Sequence, residues 1–184
     1  MSGESDGSTG FSTRRYRVRP LTGDDLEDFH EVWSDPAVIW WGATEDLATS
    51  RRLLGEFLGR RVAGVPDSGW CGIWRRRDGA FMGDVVLQPG GWDATLVEIG
   101  WHVAVAHQHR GCATEAAAGM LAHAARHGVD RVWAAIVPAN TASQAVAGRL
   151  GMAAVDEVVH AGRPHQLWAV DLAPGDQPAR PEGL

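Results

Sequence analysis

The chain has 184 residues, 45% hydrophobic and 22% charged. That is long enough to bury one ordinary core and too apolar for disorder throughout. The formal net charge of −6 argues against nucleic acid as the main partner, because neutralising phosphates takes clustered cations.

In chain order, residues 1–12 read as a flexible Ser/Gly-rich tail without the apolar segment of a signal peptide. Tyr16-Arg17-Val18-Arg19-Pro20-Leu21 alternates as a strand does. Thr22 is placed to cap a helix with an acidic first turn (Asp24, Asp25, Glu27) and an apolar stripe of Leu26, Phe29, Val32 and Trp33. Asp35-Pro36 breaks that helix, Trp40-Trp41-Gly42 is a loop, and residues 46–62 form a second amphipathic helix. Runs at 69–75 and 80–87 flank Asp78-Gly79, a hairpin signal, and 95–105 is a third strand-like run. A long helix over 113–127 ends at Gly128, a short apolar strand covers 131–137, and a short helix over 141–150 is followed by Gly151. Residues 152–160 and 166–172 pair around a turn at 161–164, and a proline-rich tail, 173–184, follows.

The order β-αα-βββ-α-β-α-ββ describes one mixed α/β domain over residues 13–172. Cys71 and Cys112 have no CxxC spacing, which excludes a disulfide framework or zinc ribbon and points to a reducing, cytoplasmic setting. No apolar run reaches membrane-spanning length, and no GxGxxG, Walker A, HExxH or GxSxG motif occurs.

The stretch from Glu98-Ile99-Gly100-Trp101 to Gln108-His109-Arg110-Gly111-Cys112-Ala113-Thr114-Glu115-Ala116 carries the chemistry. A strand ends near Val105, a loop with Gly111 and small neighbours follows, and a helix starts at once. Loop and first-turn N–H groups then converge on one spot, the helix dipole adds partial positive charge, and Arg110 adds a full one. Gly111 permits close backbone approach. A pyrophosphate is the natural guest.

Gln108-x-x-Gly111-x-Ala113 resembles the acyl-CoA signature Q/R-x-x-G-x-G/A of the GNAT superfamily of N-acetyltransferases. Glu98-Ile99-Gly100-Trp101 resembles that family's central strand, Ala113-Thr114-Glu115-Ala116 its helix start, and Pro138-x-Asn140-x-x-Ser143 with Arg149-Leu150-Gly151-Met152 its late helix. Pro20-Leu21-Thr22 and Asp35-Pro36 are similar too, so the likeness covers residues 16–172. The flavour is that of the subgroup acetylating ribosomal-protein N-termini (the RimJ/RimL type), which also holds antibiotic- and small-amine-modifying members.

The resemblance implies a GNAT-like fold: a central, mostly antiparallel sheet of about seven strands flanked by about four helices. It implies acetyl-CoA as co-substrate, no metal, and acetyl transfer to a primary amine, on a small molecule or a protein N-terminus, by direct attack in a ternary complex. Val103, Ala104 and Val105 would lie along the pantetheine arm, and Gln108, His109, Arg110, Gly111, Cys112 and Ala113 would hold the pyrophosphate. Asn140 and Ser143 would sit where the thioester ends, Glu98 would be the base acting through water, and Ser143 the acid for the departing thiolate. Trp33, Trp40 and Trp41, with Asp24, Asp25, Asp28, Glu31 and Asp35 nearby, would border a cationic acceptor. A homodimer is left open. The family's frequent late-helix tyrosine is replaced by Ala147, and Gln166 stands where related sequences often carry an aspartate.

Each assignment has a plainer counterpart. Glu98 also reads as an exposed strand residue, Asn140 as an N-cap that Ser143 assists, and the tryptophan and acidic cluster as packing beside a solvated helix face. His102 is an alternative base. His107-x-His109 lacks the third ligand a metal requires, and Cys112 fits a packing role better than a nucleophile. A catalytically inactive acyl-CoA-binding module, acting as sensor or partner protein, is the alternative to an enzyme.

Overall fold

A computed structural model describes residues 10–39 and 41–172. Eight strands form one sheet: β1 (Phe11–Ser12), β2 (Tyr16–Pro20), β3 (Gly69–Arg75), β4 (Phe81–Pro89), β5 (Val97–Val103), β6 (Arg131–Ile136), β7 (Ala153–His160) and β8 (Arg163–Asp171). The helices are α1 (Leu26–Trp33), α2 (Leu47–Leu58), α3 (Cys112–Arg126) and α4 (Thr141–Arg149). Sheet order is β1-β2-β3-β4-β5-β6-β8-β7, and every neighbouring pair is antiparallel except β5 with β6. This is the mixed, mostly antiparallel sheet with four helices that the resemblance implies. No helix among the described residues is long and apolar enough to cross a membrane.

Strand alternation sends side chains to two cores. Val18, Ile73, Val85, Ile99, Val103 and Val132 pack beneath Ala116, Met120 and Ala124 of α3. On the other face, Trp70 and Val86 meet Leu26, Phe29 and Trp33 of α1 and Leu54 and Phe57 of α2. The stripe expected on α1 is buried in full.

Three boundaries stand out against the sequence reading. Phe11 and Ser12, placed in the N-terminal tail, pair with Val18 and Arg17 and supply the eighth strand; two residues are too short for an alternation signal. The rest of that tail, residues 1–9, and the tail at 173–184 lie outside the described residues. Helix α2 stops at Leu58, with Gly59 as its C-cap, rather than reaching Val62. The last hairpin turns on two residues, Ala161 (φ 49°) and Gly162 (φ 72°), both left-handed as a type I′ turn requires, so β8 begins at Arg163. Pro164 is tolerated inside β8 because it faces only Val159 of β7, while pairing with β6 starts at Gln166.

The β2–α1 junction is held by Asp25. Its carboxylate accepts from the Thr22 N–H (2.8 Å) and hydroxyl (2.9 Å), and Arg19 grips both oxygens at 2.9 and 2.7 Å. Burial alone would raise the Asp25 pKa, but the bonds from Arg19 and Thr22 outweigh it and hold the group below its ordinary 3.8. Asp25→Asn is therefore expected to lower unfolding free energy by about 2 kcal/mol in urea titrations at neutral pH. A depressed folded pKa gives stability that is present above 3.8 and lost as pH falls through the folded value, so the deficit should shrink in acid.

Candidate active site

The parallel pair β5–β6 meets at one register position, Glu98 with Trp133. Beyond it the two strands no longer pair, although β5 runs on to Val103 and β6 to Ile136. The Ala104 N–H bonds to the Met82 carbonyl on the β4 side, so by alternation the backbone groups of Val103 turn toward the gap. There the Gln108 side chain donates to the Val103 carbonyl at 2.9 Å. One polar edge of β5 thus lines a slot beside β6.

The slot leads to the loop. A short 3-10 turn, Val105–His107, follows Ala104, and then His109 (φ 57°) and Gly111 (φ 75°) both adopt left-handed conformations around Arg110. Left-handed residues alternating with ordinary ones make a concave row of N–H groups that suits an anion. Gly111 is also the N-cap of α3, where the first-turn N–H groups have no helical partner. His109, Arg110 and Gly111 are exposed, whereas Ala113 is half-buried and Cys112 is buried under the loop. The backbone here fits a CoA pyrophosphate and the slot fits an extended, amide-bearing arm. Val105 is exposed in the 3-10 turn and its carbonyl accepts from the Gln108 N–H, whereas Val103 is still in β5 with its backbone toward the gap.

Arg15 is a part of this region that the sequence reading missed. Its guanidinium donates to the Arg110 carbonyl (2.8 Å) and to Glu115 in the first turn of α3 (2.6 Å). The partners lie about a hundred residues apart in sequence, and no local pattern announces such a contact.

Glu98, Gly100 and His102 share the β5 face opposite Ile99 and Val103, on the α1/α2 side. Glu98 is half-buried rather than solvent-exposed, and its Oε2 accepts from the Gly91 N–H (3.1 Å) and Gln88 Nε2 (3.3 Å). Burial pushes its pKa above the ordinary 4.5 despite those bonds. His102 places Nδ1 2.7 Å from Oδ1 of Asp84, which is fully buried, and Trp33 Nε1 donates to Asp84 Oδ2 at 2.9 Å. In that geometry the imidazole donates from Nδ1 and leaves Nε2 as its acceptor. Asp84 was not singled out from sequence, where nothing marks its pairing across β4 and β5.

Trp33, expected at the acceptor site, is a buried wall, edge-on to Phe57, Trp70 and His102. Trp70 in turn stacks on His102 with centroids 5.5 Å apart. Trp41 is 44% exposed and lies 5.6 Å from the His102 ring, so it is the tryptophan open to an incoming molecule. Trp40 lies outside the described residues. Asn140 caps α4 by accepting from the Ser143 N–H at 3.0 Å, so the cap uses only the backbone of Ser143. No hydrogen bond joins Ser143 to Glu98 or His102 among the described residues. Nor do three or more His, Cys, Asp or Glu side chains there form a group that could hold a metal.

The chain belongs to the acetyltransferase (GNAT) domain family, whose model matches residues 15–153. The fold is similar to that of a GNAT-family acetyltransferase from Bacillus anthracis, at 21% identity and TM-score 0.73 over 87% of this chain and 96% of that one. It is similar to RimL, the ribosomal L7/L12 α-N-protein acetyltransferase, solved with CoA (15% identity, TM-score 0.68, 87% and 96% covered). It is also similar to the Vibrio cholerae spermidine N-acetyltransferase, solved with CoA and spermine (14% identity, TM-score 0.69, 87% and 97% covered). No curated protein matches the chain in sequence.

Both cysteines are free and buried, and burial pushes the Cys112 thiol up to about 11 and the Cys71 thiol up to about 12. A disulfide reagent at neutral pH is expected to label neither in the native protein within minutes, and both in guanidinium chloride. Rapid native labelling of Cys112 would restore it as a candidate nucleophile.

Proposed function

We propose that this GNAT-family chain transfers the acetyl group of acetyl-CoA to a primary amine, carried by a small molecule or a protein N-terminus, by direct attack in a ternary complex. One observation carries the reading. Strand β5 leaves β6 after a single bridge and runs straight into a loop with two left-handed residues at the N-terminus of α3. An acetyl thioester supplies the activated acyl group. The relatives named for a ribosomal α-N-protein acceptor and for spermidine support an amine as the other substrate.

In this reading Val103 offers the extended edge for the pantetheine arm, with Gln108 bracing its carbonyl. The loop from Gln108 to Ala113 takes the pyrophosphate through its N–H groups. Glu98 accepts the proton of the attacking amine through water, because burial raises its basicity toward that task. The demand is modest for an α-amino group, of which about one in seven is already neutral near pH 7. The Ser143 hydroxyl, unused by the cap, donates a proton to the leaving thiolate. Trp41 and His102 face the acceptor. A specific contact favours a second reading of the base, in which His102, oriented by Asp84, takes the proton at Nε2.

Calorimetric titration with acetyl-CoA is expected to show one-to-one binding at about micromolar affinity, and no binding at millimolar ligand would overturn the proposal. With spermidine or an N-terminal peptide as acceptor, Glu98→Gln should lower kcat about a hundredfold without weakening acetyl-CoA binding. The wild-type rate should fall as pH drops through the raised Glu98 pKa, and Glu98→Gln should lose that limb. If His102→Gln removes the limb instead, His102 is the base. A CoA-binding protein that releases no thiol with any amine would be the sensor module rather than the enzyme.

A further inference from the structure

The N-terminal segment lies along one stripe of α3. The Phe11 ring stacks on His123, with centroids 5.4 Å apart. A Cβ at Gly119 would stand only 2.7 Å from Phe11 and 2.8 Å from Thr13, so the missing side chain is what lets the segment approach. Glu115 accepts from the Thr13 hydroxyl (2.7 Å), the Arg15 backbone N–H (2.7 Å) and Arg15 Nε (2.6 Å). Arg15 Nη1 then bonds the Arg110 carbonyl at 2.8 Å. Positions 111, 115, 119 and 123 recur every four residues, one face of a helix, and residues 15 to 11 cover them in reverse order.

We propose that Arg15 is a positioning residue for the anion-binding loop, and that the strap formed by residues 11–15 sets that loop before any ligand arrives. The inference rests on the reading of the loop as the CoA pyrophosphate site. The Arg110–Gly111 peptide is planar and trans, so a carbonyl held on one side turns the Gly111 N–H to the other. Arg15 also offsets Glu115, a carboxylate in the helix turn where the anion would otherwise meet a negative charge. The Thr13 hydroxyl and the Arg15 backbone N–H meet one carboxylate oxygen of Glu115 and Arg15 Nε the other, which fixes the carboxylate that holds the guanidinium.

A simple charge effect and a positioning effect differ in sign for one variant. Glu115→Gln removes a negative charge beside the loop, so charge alone would tighten CoA binding, whereas loss of the strap would weaken it. Calorimetry with CoA is expected to give a Kd about tenfold higher for Glu115→Gln and for Arg15→Ala, and no further rise in the double variant, since both break one unit. Gly119→Leu should raise the Kd as well, although it lies two helical turns from the loop. In the ligand-free protein, amide hydrogen exchange across residues 105–113 should accelerate in all three single variants while the sheet core keeps its protection. A Glu115→Gln variant that binds CoA as tightly as wild type, or loop exchange unchanged in Arg15→Ala, would overturn the proposal. If wild type binds CoA while the variants are indistinguishable from it, the strap alone fails; if wild type binds none, the pyrophosphate reading fails with it.

Discussion

The rest of the site depends on the divergence of β5 and β6. They are the one parallel pair among the described strands, and a parallel pair needs a crossover, here supplied by α3. Its antiparallel neighbours run longer ladders, seven positions for β4–β5 and six for β6–β8. At β5–β6 the ladder stops at Glu98, which leaves backbone N–H and C=O groups of β5 inside the fold without a strand partner. Such groups must be satisfied. One finds the Gln108 side chain, and that solution ties the slot to the loop that follows it. An extended chain bearing amides is the ligand that would satisfy the remainder.

A second constraint shapes the opposite face. Asp84 is fully buried, and a buried carboxylate without donors would be costly. Trp33 and His102 supply the two donors, one to each oxygen. Those two bonds then fix the rings around them. Phe57 stacks on Trp70 at 3.9 Å, Trp70 on His102, and Trp33 meets all three edge-on. Trp33 is thus spent on packing and on Asp84.

The legible parts of the chain share a physical property: they are local. The element order could be read because periodicity, the Asp78-Gly79 turn and the helix-ending Gly128 and Gly151 act over a few residues. The loop at Gly111 could be read for the same reason, since its conformation is set by a glycine next to a helix start. What escaped were pairings between distant positions. Asp84 finds Trp33 and His102 across the sheet, Arg15 finds Glu115 and Arg110 across the whole domain, and Gln88 reaches Glu98 from the neighbouring strand. Phe11 and Ser12 carry too little pattern to announce a strand, and their place depends on a gap left by Gly119 far along the chain.

The same contrast separates the two halves of the proposed reaction. The donor half is backbone: a strand edge, a loop conformation and a helix end, which many side chains can support. The acceptor half is made of side chains from α1, β3, β4, β5 and the loop at Trp41, so its chemistry is set by tertiary contacts. The acidic face of α1 illustrates the point. Asp25 is engaged by Arg19, and Asp35 accepts from the Ala37 N–H. A cation therefore meets fewer free carboxylates there than the sequence shows. On the proposed reading, the acceptor is selected less by that charge than by the exposed face of Trp41 beside the His102 ring, where a neutral amine is the reactive form.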